Sequence, residues 1–219
     1  MARASLTRDE VLDTAGELVK RHGPRALTMR KLAAELGTAV TSIYWHVGNR
    51  ESLLDELVRR TVADLGEIRP AGRTPVERIV SVARILRRRL RDRPHLIALV
   101  HERGLTDLMF LPARRALVRE VHAAGLRGAR AAEAVRAVQF QVVGFVLVER
   151  NRERAPAQRP VPHPYDDPEL ARALARPVNE ERLFVTSVRA LTESLLNGPG
   201  PREPTGPGEP KGPGERAGG

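Results

Sequence analysis

The chain has 219 residues, 41% hydrophobic but only 3% aromatic, with no cysteine and a formal charge of +10. That length holds a small module plus a medium domain, and the apolar share excludes general disorder. A core of Leu, Val, Ala and Ile suits packed helices, and the lack of cysteine excludes disulfides and thiolate metal sites and fits a reducing compartment.

The first stretch, Thr7 to His22, predicts a helix: Thr7 and Glu10 have the spacing of a capping box, and Val11, Leu12, Ala15, Leu18 and Val19 make one apolar stripe. Gly23-Pro24 ends it. A second helix is expected from about Thr28 to Leu36, with Leu32, Ala33 and Leu36 inward, closed at Gly37 by the left-handed backbone that glycine tolerates. A third covers Val40 to Val47, Gly48-Asn49 breaks the chain, and a fourth runs from Arg50 to Leu65. Gly66, Pro70, Gly72 and Pro75 mark a connector and a domain edge. Beyond it, helices are predicted over Thr74 to Arg91, Pro94 to Val100, Pro112 to Ala124, Arg130 to Arg150 and Glu180 to Leu196. The proline-rich residues 154–168 read as a loop, and the Gly/Pro-rich residues 198–219 as a disordered tail. No segment alternates like a strand, so the fold class is all-α. No apolar signal segment and no run long enough to span a bilayer is evident, so a soluble cytoplasmic protein without membrane contact is expected.

The positive charge suits a polyanionic partner. An arginine-rich composition also follows from GC-rich coding, and the excess is unevenly placed: acids nearly cancel bases in residues 1–66, while bases cluster between Arg84 and Arg93. That cluster reads as a solvated face of a buried helix, a lateral DNA-facing patch or a basic face for anionic lipid. Catalytic spacings are absent: there is no His-Glu-x-x-His, no phosphate loop and no Gly-x-Ser-x-Gly, so no enzyme, metal site or cofactor is expected.

The informative stretch is Leu27 to Arg50, two short helices joined at Gly37. Ala33 is small where the helices cross, and Ile43 plugs the second helix into the core. Thr41, Ser42, Tyr44, Trp45 and His46 are left partly outward, as a major-groove reader requires. Thr28, Thr41 and Tyr44 hydroxyls and the start of the third helix can hold phosphates, and Arg30 can make a bidentate contact to guanine. His46 and Arg50 can add backbone contacts. A plain helical hairpin with a solvated polar face is the competing reading. Against it, the chain's one Trp and one of its two Tyr fall side by side on this short helix.

These motifs, Leu-Thr-x-Arg-Lys-Leu-Ala-x-x-Leu-Gly and Ile43-Tyr44-Trp45-His46-Val47, resemble the DNA-binding domain of the tetracycline-repressor (TetR) family over residues 5–66. The resemblance implies a homodimeric, ligand-responsive repressor of operator DNA. Its DNA-facing set is Thr28, Arg30, Lys31, Thr38, Val40, Thr41, Ser42, Tyr44, Trp45, His46 and Arg50, with Arg30 reading a base. Val40 replaces a polar reader of the tetracycline repressors, so a different operator is expected. Residues 67–197 then form a helical regulatory and dimerisation domain, with the last two long helices building a dimeric four-helix bundle. His101 aligns with a magnesium-binding histidine of the tetracycline repressors, although a surface histidine is the reading favoured here. The other drug-contacting positions are Gly66, Ala83 and Arg87, without the matching polar and aromatic side chains, so tetracycline is not the expected effector. The candidate ligand residues are His101, Arg103, Phe110, Gln139, Phe140 and Gln141.

Overall fold

The computed structural model describes residues 6–154, 167–174 and 176–198. Among these, helices form the whole architecture, in two tiers joined by α4 and α6. In the first tier α1 (Arg8–His22) opens with the predicted capping box. Thr7 Oγ1 accepts from the Glu10 amide at 3.2 Å, and Glu10 Oε2 accepts from the Thr7 amide at 2.8 Å. The five stripe residues are all buried. A one-turn 3-10 helix, Pro24–Ala26, follows Gly23 and was not expected.

Helix α2 (Met29–Leu36) is capped by Thr28 and ends at Gly37, whose φ of 60° and ψ of 39° are left-handed. Two bonds close the turn: Gly37 N–H to Ala34 at 3.2 Å, and Thr38 N–H to Ala33 at 3.0 Å. This pairing satisfies the orphan carbonyls at a helix C-terminus and fixes the direction of the next helix. Helix α3 (Val40–Val47) docks through Ile43, which is fully buried, and α4 (Arg50–Ala63) is capped by Asn49.

The second tier is α5 (Pro75–Arg91), α6 (Pro94–Arg103), α7 (Thr106–Met109), α8 (Leu111–Ala123), α9 (Gly128–Arg154), α10 (Pro168–Leu174) and α11 (Glu180–Asn197). Helix α5 is its axis, packing on α8, α9 and α11, while α4 packs on α6. Three differences from the sequence reading have local causes. Helix α6 runs three residues past Val100 because the left-handed residue that stops it is Gly104. Helix α7 is a single turn, too short to show periodicity. Helix α10 starts at Pro168, which the sequence placed at the end of a loop. Asp167 Oδ1 accepts from the Glu169 and Leu170 amides, each at 3.0 Å, and proline suits the first helical position. The rest of the predicted proline-rich loop, residues 155–166, and the tail from residue 199 lie outside the described residues.

The expectation that no run is long enough for a bilayer is corrected by α9. Its 27 residues include a stretch of mean hydropathy 1.5, long and apolar enough to cross a membrane by length and composition. Here it packs on α5, α8 and α11, with Val138, Val142 and Val146 buried alongside Glu149 and Arg150. Counting uninterrupted apolar residues missed it because Arg136, Gln139 and Gln141 break the run without lowering its average enough.

Much of the basic cluster of α5 is paired within the fold, although Arg88 is exposed and makes no ion pair among the described residues. Arg84 pairs with Glu181 at 2.7 Å, Arg87 with Glu149 at 2.6 Å and also with Glu181, and Arg91 with Glu153 at 2.9 Å. Arg89 donates to the Gly66 and Glu67 carbonyls at 2.9 and 3.0 Å. Arg87 is itself buried, with its guanidinium 4.6 Å from the centre of the Phe184 ring. Burial works against its charge, but Glu149 and Glu181 outweigh that and raise its pKa above the usual arginine value.

Candidate functional site

On the outward face of α2 and α3, the side chains of Arg30, Lys31, Tyr44 and Trp45 make no hydrogen bond or ion pair among the described residues. Trp45 is 90% exposed and Tyr44 49%. Leaving two aromatic faces in water forfeits burial that each would gain in a core. Arg30, Lys31 and Thr41 are also exposed, while Val40, Ser42 and His46 are half-buried beside them. Thr28 Oγ1 accepts from the Lys31 amide at 3.1 Å as the α2 cap, which leaves its hydroxyl hydrogen free to donate. Thr38 is half-buried at the turn, its amide committed to Ala33.

The start of α3 differs from those of α1, α2 and α4. Thr7, Thr28 and Asn49 cap those three, but α3 begins at Ala39 with no side-chain cap. The Ser42 amide donates to the Ala39 carbonyl at 3.0 Å, while the Val40 and Thr41 amides have no side-chain acceptor, which suits a phosphate oxygen.

Arg50, expected beside DNA, lies elsewhere. Its Nε donates to the Leu27 carbonyl at 2.8 Å, and one terminal nitrogen donates to Pro24 at 2.9 Å and to Glu102 at 3.1 Å. It therefore clamps the turn before α2 to the last turn of α6. Next to it, Arg103, a candidate ligand residue, donates to Asp55 of α4 at 2.6 Å. The Asp55 carboxylate is the largest influence raising the Arg103 pKa. Neither Glu102 nor Asp55 stood out in the sequence, because an acidic residue on a helix carries no mark of a partner about fifty positions away.

The remaining ligand candidates divide. His101 is exposed on α6, and among the described residues no three His, Asp or Glu side chains gather as a metal site. Gln141 donates to Ser187 Oγ at 3.3 Å, tying α9 to α11. Phe110, Gln139 and Phe140, by contrast, line one groove of about 480 Å³ between α8 and α9. The sequence analysis missed its other lining residues, among them Arg114, Val118 and His122. Their i, i+4 spacing on α8 matches Ala131, Val135 and Gln139 on α9, and that was the available signal.

A second, mostly apolar groove of about 370 Å³ lies along α9 and α11. Phe140, Gly144, Val148 and Leu183 line it, and Phe140 (67% exposed), Val148 and Leu183 present their apolar surface to solvent.

Comparison with known proteins agrees with this geometry. Residues 11–57 match the family profile of bacterial regulatory proteins, tetR family. An HTH-type transcriptional regulator of Saccharopolyspora erythraea is 37% identical over 147 residues, which is 66% of this chain and 61% of that protein. The class D tetracycline repressor protein of Escherichia coli is 45% identical over 60 residues, 27% of this chain and 28% of that one. The chain thus spans less than two thirds of the length of either relative. Two solved structures share the fold. ActR of Streptomyces coelicolor in complex with actinorhodin has a TM-score of 0.65 at 23% identity, covering 89% of this chain and 99% of that one. BioQ with its natural double-stranded DNA operator has a TM-score of 0.61 at 24% identity, covering 88% and 99%.

Proposed function

We propose that the chain is a cytoplasmic transcriptional repressor of the TetR family, which the match of residues 11–57 and the 37%-identical regulator support, and that it binds a palindromic operator as a homodimer and is released by a small-molecule effector. Residues 5–66 are the DNA-binding domain of this reading, and residues 67–197 the regulatory domain. The observation that carries it is the outward face of α3, where a half-exposed Tyr44 and a 90%-exposed Trp45 stand about one turn past a helix start that has no side-chain cap. Arg30 reads a base, while Thr28, Thr41, Tyr44 and His46 hold the backbone. Lys31, Thr38, Val40, Ser42 and Trp45 complete the face. Arg50 acts by holding α2 in place rather than by touching phosphate, since its guanidinium is already bonded to two carbonyls and Glu102.

The apolar groove on α9 and α11 is the dimer face. Phe140, Gly144 and Val148 recur at one-turn spacing, which suits a four-helix bundle formed by two copies. Effector release is linkage: a ligand that binds the DNA-incompetent arrangement more tightly weakens operator binding by that difference. The Arg50–Glu102 and Arg103–Asp55 pairs join α6 to the DNA-binding domain along that route. Tetracycline does not fit the reading, because Arg87, at one of the drug-contacting positions, is a buried guanidinium already paired with Glu149 and Glu181.

The test is binding of the purified protein to a fluorescent fragment of its own upstream intergenic DNA, with excess unrelated DNA at physiological salt. Saturable, competitor-resistant binding is expected. Binding that unrelated DNA removes completely contradicts the operator reading.

A further inference from the structure

We propose that α3 selects its operator by the 5-methyl group of thymine rather than by hydrogen bonds to base edges. This selectivity rests on the operator reading above and adds the chemistry by which α3 tells one base pair from another. In the major groove every base pair shows polar donors and acceptors, and thymine alone adds an apolar methyl group. A helix discriminates there with Arg or Lys on guanine, Asn or Gln on adenine, Asp or Glu on cytosine, or an apolar surface on that methyl.

Helix α3 reads Val-Thr-Ser-Ile-Tyr-Trp-His-Val and holds no Arg, Lys, Asn, Gln, Asp or Glu. The hydroxyls of Thr41, Ser42 and Tyr44 suit phosphate or either kind of base pair, so they discriminate little. His46 follows Trp45 by just over a quarter turn and is half-buried. What remains is apolar. Ile43 is fully buried, and two residues turn a helix by about 200°, so Trp45 points away from the core, where its side chain is 90% exposed. Val40 stands half-buried at the first turn of α3, directly after the exposed Ala39. The cations of the reading face, Arg30 and Lys31, belong to α2. The division of labour follows: Arg30 takes a guanine, while Val40 and Trp45 each cover a thymine methyl, excluding water from it as a core would.

The test uses the full chain and its upstream fragment, prepared with thymidine or with deoxyuridine in both strands. Deoxyuridine keeps every hydrogen-bonding group of thymidine and loses only the methyl. Burial of one methyl is worth about fourfold in affinity, so two half-sites should make the deoxyuridine fragment bind at least about tenfold more weakly. Single replacements within the footprint then locate the methyls. At such a position a C·G pair should bind weakly, and a 5-methylcytosine·G pair, which restores the methyl alone, should recover about fourfold. Loss of a methyl also alters stacking in the duplex, so the contact itself is read from a cycle of base and side-chain changes. Trp45→Ala and Val40→Ala should each abolish the methyl effect at one position of the half-site and retain it at the other, with urea unfolding unchanged for Trp45→Ala. Equal affinity for the two fragments, or a methyl effect that survives in both variants, overturns methyl selection and leaves the operator reading standing. Absence of competitor-resistant binding to the thymidine fragment overturns the operator reading and methyl selection together.

Discussion

The N-terminal and C-terminal helical tiers use charge in opposite ways. In the first, acids and bases nearly cancel, yet Arg30 and Lys31 stay exposed, beside a bare Trp45. In the second, the arginines of α5 hold helices together, and Arg87 and Glu149 form a pair with side chains only 5% and 2% exposed. Much of the charge on α5 is therefore paired within the fold, while Arg30 and Lys31 make no ion pair among the described residues. Net charge pointed toward nucleic acid for a reason that the structure does not support; the reading face points there for a better one.

The comparison breaks most readily at Glu149. Glu149→Leu leaves the buried Arg87 guanidinium with only the half-exposed Glu181 as partner, and stability should fall by about 3 kcal/mol in urea unfolding. Removing Glu35 from its exposed pair with Arg21, whose side chains are 41% and 50% exposed, should scarcely move the midpoint. Equal losses would erase the distinction between the domains.

Arg30→Ala should cost about 1–3 kcal/mol of operator affinity and relax one base position, with unfolding unchanged. A loss uniform across sequences would make it a backbone contact instead. Arg50→Ala sharpens the division further. It should lower stability and operator affinity but leave the salt dependence of binding intact, whereas a phosphate contact would reduce that slope by about one.

The smallest effect is one of pH. Burial, and then the nearby charges of Lys20, Arg93 and Arg150, depress the pKa of His95 below 6.5, with Glu17 opposing. Below about pH 6.5 the unfolded chain takes up a proton that the folded chain refuses, so stability falls on acidification until the folded value is passed. His95→Gln should flatten that part of the stability profile, and an unchanged profile would remove His95 as its source.

The helices of the N-terminal tier were legible because their signals are local. Thr7 with Glu10, Thr28, Gly37 and Asn49 each mark a boundary within a few residues, and Ile43 and Val47, one turn apart on α3, are both buried. Arg50 was misplaced because its partners, Pro24 and Glu102, lie 26 and 52 positions away. The ligand candidates divided for the same reason. Phe110 and Gln139 meet only once α8 folds against α9, while Arg103 is drawn off by Asp55 and Gln141 by Ser187. Sequence shows which residues are unusual on a helix, but it does not show which helix stands opposite.

The central claim, that the outer face of α3 meets DNA, can be read from one side chain. Trp45 is the chain's single tryptophan and is almost wholly exposed. Its fluorescence should be readily quenched by iodide in the free protein and shielded on addition of the upstream fragment, in step with binding measured by anisotropy. Full iodide access to Trp45 while the fragment is bound would contradict the account.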